Sequence, residues 1–254
     1  MDVELIIDEE PVTAPDGVSV LEAARRAGRD VPALCHHEAV PAIASCRLCL
    51  VELRRPGRDW VQLTTACDYP VSAGLEVVTD SPQIRKHRAM NLQLLLRRAP
   101  DAPVLRRLAT RLDVKEPLFA PVTDAALQDC ILCELCVRVC STLGYNALAA
   151  IGRGGHKHIG PPLSQAAALD CVGCGSCREA CPTECIAMAD TATTRTIWGR
   201  TLELLACERC GRTITTKAHA AAMAAETDLR VKTSELCEVC KARLAGERLA
   251  SPGR

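Results

Sequence analysis

Cys130, Cys133, Cys136 and Cys140 are separated by two, two and three residues, and Cys171, Cys174, Cys177 and Cys181 repeat that spacing, with Pro182 directly after. Nothing else in the chain restricts its fold as strongly. Three thiols two residues apart wrap one corner of an iron–sulfur cubane, and the fourth, three residues on, opens a helix that crosses to a second cubane. The expected sets are therefore crossed. Cys130, Cys133, Cys136 and Cys181 would hold one [4Fe–4S] cluster, and Cys140, Cys171, Cys174 and Cys177 the other. Zinc ribbons use two separated C-x2-C pairs rather than runs of four, so zinc is the weaker reading of these eight. Gly173 and Gly175 remove side chains where backbone amides must approach cluster sulfur. Cys185 is left over and is expected as a small buried apolar residue near the first cluster.

The chain has 17 cysteines in 254 residues. The segment Met1 to Glu10 has no basic region followed by an apolar run, which argues against an export signal. No run of about 18 apolar residues suggests a membrane span. A cytoplasmic location follows as an expectation, and there thiols stay reduced and bind metal rather than form disulfides. Formal net charge is zero, which argues against nucleic acid as a partner. Aromatic content is 2 %, with Phe119 the single phenylalanine, so rings cannot organise the interior and metal centres must contribute.

The first third carries Cys35, Cys46, Cys49 and Cys67, one close pair flanked by two distant singles. Two ligands on each iron of a flat [2Fe–2S] cluster fit this pattern. Residues 3–7 read as a strand, and Asp16-Gly17 as a turn. Ser19 and Glu22 form a capping box that opens a helix to about Gly28. Residues 48–53 and 61–65 read as two strands. This order suits a small β-grasp domain. Ser81-Pro82 opens a long helix to Arg98, stopped by Pro100 and Pro103. A short helix is expected at 104–112, and residues 152–160 read as a flexible loop. His36 and His37 adjoin Cys35. Four cysteines already suffice there, so they are read as shaping the loop.

Near the end, Cys207, Cys210, Cys237 and Cys240 form two C-x2-C knuckles with 26 residues between them, and Gly211 follows the second thiol. This is ribbon spacing and favours a closed, structural zinc site over a rubredoxin-like iron or a further cluster. A helix is expected at 217–227, with His219 on its surface.

The segments VPALCHHEAVPAIASCRLCLVEL and TTACDYPVSAGLEVVTDSPQIRKHRAMNLQLLL closely resemble the N-terminal ferredoxin-like region of the large iron–sulfur subunit of respiratory complex I, NAD-linked hydrogenases and NAD-linked formate dehydrogenases. CILCELCVRVC and IGPPLSQAAALDCVGCGSCREACP resemble the next domain of that family. The resemblance covers roughly residues 1–190. Members commonly carry, between these domains, a cluster ligated by one histidine and three cysteines. Here that stretch reads RRAPDAPVLRRLATRLDV, with neither residue. That cluster cannot be built, so the chain departs from the family in this one respect.

No G-x-G-x-x-G and no P-loop lysine motif appears, and about 60 residues after position 190 leave no room for the family's catalytic domains. An α+β architecture in four parts is expected: 1–80, a β-grasp [2Fe–2S] ferredoxin-like domain; 81–125, helix and linker; 126–195, a bacterial-type two-[4Fe–4S] ferredoxin domain; 196–254, a zinc-ribbon-like tail. The implied role is a non-catalytic electron-transfer subunit of an oxidoreductase. It would link a flavin subunit that handles NAD(H) to a hydrogenase or formate dehydrogenase subunit. The alternative is a free multicluster ferredoxin. A redox or zinc sensor would need fewer motifs.

Overall fold

The computed structural model describes residues 1–55, 57, 60–114, 118–123, 129–226 and 235–250. Its first unit is a five-stranded sheet with helix α1 against it. Strand β1 (Asp2–Ile7) turns through Asp8 and Glu9, both at positive φ, into antiparallel β2 (Glu10–Pro15). Two left-handed residues make the tight hairpin whose twist matches the strands. Strands β3 (Leu50–Arg54), β4 (Gln62–Thr65) and β5 (Glu76–Val78) complete the order β2-β1-β5-β3-β4, with β5 parallel to β1. Alternate residues Leu5, Ile7, Val51, Leu53 and Val77 face a core shared with Val20 and Leu21 of α1 (Val20–Arg26). The Ser19 hydroxyl caps that helix, accepting from Glu22 N–H at 3.1 Å.

Helix α2 (Pro82–Arg98) starts as the sequence suggests: Ser81 Oγ accepts from Ile84 N–H, and proline occupies the first turn. Buried Arg88 ties it to the sheet by donating to the carbonyls of Leu50 and Thr79 at 2.7 and 2.9 Å. Leu92 and Leu96 of α2 pack with Ala99, Ala102 and Leu105 and Leu108 of α3 (Pro103–Arg111). Each buried leucine contributes roughly 1.5–3 kcal/mol. The segment without cluster ligands is thus closed by leucine and alanine. No helix among the described residues is long and apolar enough to cross a membrane.

The middle cysteines lie on and around helices α4 (Leu135–Thr142) and α5 (Ser176–Glu179), which pack together. The expected flexible loop at 152–160 is instead structured. Strands β6 (Ala149–Ile151) and β7 (His158–Gly160) pair antiparallel across a short 3-10 turn at 154–156.

Strands β8 (Met188–Asp190), β9 (Thr194–Ile197), β10 (Arg200–Ala206) and β11 (Thr213–Thr216) form a second sheet in the order β11-β10-β9-β8. No strand is expected here from the sequence. The expected boundary at 195/196 cuts β9, so the sheet joins the two segments that boundary separates. The boundary at 125/126 lies outside the described residues. Helices α6 (Lys217–Glu226) and α7 (Glu238–Ala250) complete the tail.

Candidate metal centres

Cys35, Cys46, Cys49 and Cys67 come from a long loop before β3 and from the end of the hairpin strand β4, and all four are buried. Cys46 N–H donates to Cys35 Sγ at 3.3 Å, and Leu34 N–H to Cys46 Sγ at 3.5 Å. The Cys35 thiol lies against those of Cys46 and Cys67, and Cys67 against Cys49. Hydrogen bonds from Cys46 and Cys67 hold Cys35 down to about 2. Its partners Cys46 and Cys67 are pushed up in consequence, while Cys67 lowers Cys49. Four buried thiols that compete for protons suit a thiolate donor set neutralised by iron. His37 is exposed, and its Nδ1 accepts from Ala39 N–H at 3.1 Å, a loop-shaping contact. His36 is half-buried, and burial lowers its pKa.

The middle eight thiols divide between two cavities. The first, about 270 Å³, is lined by Cys130, Cys133, Cys136 and Cys181 together with Cys185. Burial pushes Cys133 up to about 11 and raises Cys136 as well. Cys185 is half-buried rather than buried. Its Sγ lies 3.7 Å from Cys181 Sγ, and it holds Cys130 down by hydrogen bonding. The second cavity is lined by Cys140, Cys171, Cys174 and Cys177. Burial raises Cys140 and Cys171 and takes Cys177 up to about 11. The structure therefore puts Cys181 with the Cys130 run and Cys140 with the Cys171 run. Sulfur here accepts hydrogen bonds from Ala147 N–H to Cys140 (3.3 Å), Gly173 N–H to Cys171 (3.4 Å) and Trp198 Nε1–H to Cys177 (3.4 Å).

The second sheet is what backs this cavity. Arg195 and Arg200 donate to the carbonyls of Gly173 and Cys171 at 2.9 and 2.8 Å, and Thr216 Oγ1 donates to Val172 O. Gly173 is required twice over. Its φ is +71°, and a Cβ there would lie 2.6 Å from a Leu202 methyl. His219 is half-buried, not a surface residue: Nδ1 lies 2.7 Å from Thr215 Oγ1, and the ring meets Tyr145 edge-on.

In the tail, the four sulfurs of Cys207, Cys210, Cys237 and Cys240 lie within 4.8 Å of one another, and Cys210 to Cys237 is 3.7 Å. A tetrahedral ion with metal–sulfur bonds of about 2.3 Å sets its sulfurs about 3.8 Å apart. A single ion therefore fits, whereas a multi-iron cluster would hold the sulfurs farther apart. Gly211, at φ +71°, closes the knuckle by donating to Cys207 O at 2.8 Å. The Cys237 backbone holds Cys207 down to about 6.

A ferredoxin-type sheet with buried cysteine constellations defines an iron–sulfur protein. Residues 1–82 match the family described as the 2Fe-2S iron-sulfur cluster binding domain. A subunit of the NADH-quinone oxidoreductase of Rickettsia prowazekii (strain Madrid E) is 27 % identical over 179 residues, 62 % of this chain and 26 % of that protein. The mitochondrial NADH dehydrogenase [ubiquinone] iron-sulfur protein 1 of Solanum tuberosum is 28 % identical over 180 residues, 62 % of this chain and 24 % of the relative. A chain of the NAD+-reducing [NiFe]-hydrogenase, solved in its H2-reduced state, matches with TM-score 0.58 and 30 % identity, covering 68 % of this chain and 81 % of its own. The chain belongs to this family of iron–sulfur subunits of NADH-quinone oxidoreductases and NAD+-reducing hydrogenases. It spans about a quarter of the length of the curated relatives it matches.

Proposed function

We infer that the chain is the electron-transfer subunit of a multisubunit oxidoreductase, carrying electrons between a flavin subunit that handles NAD(H) and a hydrogenase or formate dehydrogenase subunit. The observation that carries this reading is the gathering of thirteen cysteines into three groups of four, five and four within one chain, two of them around cavities. Cys35, Cys46, Cys49 and Cys67 would hold a [2Fe–2S] cluster. Cys130, Cys133, Cys136 and Cys181 would hold one [4Fe–4S] cluster, and Cys140, Cys171, Cys174 and Cys177 a second. Cys207, Cys210, Cys237 and Cys240 would hold zinc, the first pair in the turn between β10 and β11 and the second at the start of α7, making 196–254 a ribbon-like module.

When bound, such clusters supply one-electron carriers, so a two-electron donor such as a reduced flavin is unloaded one electron at a time. The chain's own residues hold and insulate them. The leucines of α2 and α3 keep water from the first thiol group, and N–H donors stabilise sulfur charge. Leu163 and Leu169, 90 % and 65 % exposed, suit a subunit docked on partners more than a free carrier.

The test uses anaerobically purified protein and its EPR spectrum. NADH alone should leave all centres oxidised, and NADH with the flavin subunit should reduce them. Reduction by NADH without flavoprotein, or none with it, contradicts the reading.

A further inference from the structure

Arg138 lies on α4 between Cys136 and Cys140, yet its guanidinium reaches out of that helix. Nη1 donates to Pro41 O at 2.6 Å. Nη2 donates to two carbonyls at once, Cys35 O at 2.7 Å and Cys133 O at 3.1 Å. One nitrogen thus joins a residue of the N-terminal thiol group to a residue of the first cavity. The two groups already share an apolar cluster in which Cys35 and Cys46 lie with Cys133, Leu34, Leu48 and Leu135. Ser45 Oγ adds a second tie by donating to Leu132 O at 3.0 Å.

Two features need a cause. None of the three Arg138 bonds goes to a carboxylate, and among the described residues Arg138 Nε is buried with no hydrogen-bond partner. Arg138 as a whole is half-buried, and a cation drawn partly out of water is costly unless opposite charge compensates it. The groups on either side of it are thiolate sets, which carry net negative charge once loaded with iron. The planar fork of arginine can also hold two carbonyls at fixed spacing, which a lysine cannot.

We propose that Arg138 is the positioning residue between the first two centres: its fork fixes the Cys35 loop against the Cys133 loop, and its charge favours the reduced state of both. This rests on the ligand assignments given above. A positive charge beside a centre makes the added electron more favourable, so both midpoint potentials lie higher with Arg138 than without it. Because one nitrogen bridges Cys35 and Cys133, the two centres are also held in register as electron donor and acceptor.

The experiment compares full-length, anaerobically loaded wild type with Arg138→Gln and Arg138→Lys. Iron content is measured first, then both midpoint potentials by EPR redox titration, then the spin–spin interaction between the two reduced centres. Arg138→Gln is expected to bind full iron, lower both potentials and weaken the interaction. Arg138→Lys, which keeps the charge but loses the fork, is expected to hold the potentials and weaken the interaction. Retention by Arg138→Gln of either potential or of the interaction overturns the proposal, as does an unweakened interaction in Arg138→Lys. Loss of iron from both variants assigns Arg138 to folding alone and also overturns it. Absence of the two signals in wild type would instead overturn the ligand assignments.

Discussion

Trp198 Nε1–H donates to Cys177 Sγ at 3.4 Å. The contact depends on a two-residue turn, because Trp198 and Gly199 both have positive φ and join β9 to β10 as a type I′ hairpin. A Cβ on Gly199 would lie 2.5 Å from Ala166 O, so glycine is needed for this approach. The indole also borders both thiol cavities. Hydrogen bonds to ligand sulfur favour the reduced cluster. A bond worth about 1 kcal/mol more to the reduced state raises a one-electron potential by about 40 mV. Trp198→Phe should lower the potential of the centre at Cys177 by that order and leave the [2Fe–2S] potential unchanged. Redox titration followed by EPR checks this.

Cys140→Ala tests the crossed sets. Cys140 lines the cavity of Cys171, Cys174 and Cys177, and Cys181 that of Cys130, Cys133 and Cys136. The variant should damage the centre at Cys171 and spare the one at Cys130. An EPR spectrum with the reverse loss would show that each run of four binds its own cluster.

The middle segment should depend on iron for its structure. Its small core has five buried residues, Cys136, Leu148, Cys177, Ile186 and Ile197, and two of them are proposed ligands. Ligand binding free energy is then folding free energy. Hydrogen exchange should show residues 130–190 losing protection in cluster-free protein, while the sheet around Leu5, Ile7 and Val51 keeps it. Equal protection of 130–190 with and without iron would contradict this.

The parts legible in the sequence are those fixed by local chemistry. Ser19 with Glu22, and Ser81 before Pro82, place two helix starts because capping is a short-range bond. The cysteine spacing points to the grouping because a cluster dictates where its ligands stand. The second sheet was not legible. Met188–Asp190 and Thr194–Ile197 are too short to show a pattern, whereas Arg200–Ala206 does alternate, with Leu202 and Leu204 buried, but its partners are set by the turn at Trp198 and by contacts to Gly173. The half-burial of His219 likewise depends on Tyr145, distant in sequence. Arg138 reads as one more basic helix residue until the Cys35 loop is brought against it.

In the tail, the four-sulfur site is closed, so its metal should be redox-silent. Cys207→Ser combined with Cys210→Ser should abolish assembly with partner subunits while three cluster signals survive in the isolated chain. Normal assembly with electron flow stopped would mean that the tail metal is itself a carrier.

Metal and sulfide content tests the central claim most directly. One two-iron and two four-iron centres require about ten irons and about ten acid-labile sulfides per chain, and the tail site adds about one zinc. Anaerobically purified protein should give those ratios together with one [2Fe–2S] and two [4Fe–4S] signals on reduction. Iron near four per chain, or iron without sulfide, would contradict the assignment of this chain as a three-cluster electron carrier.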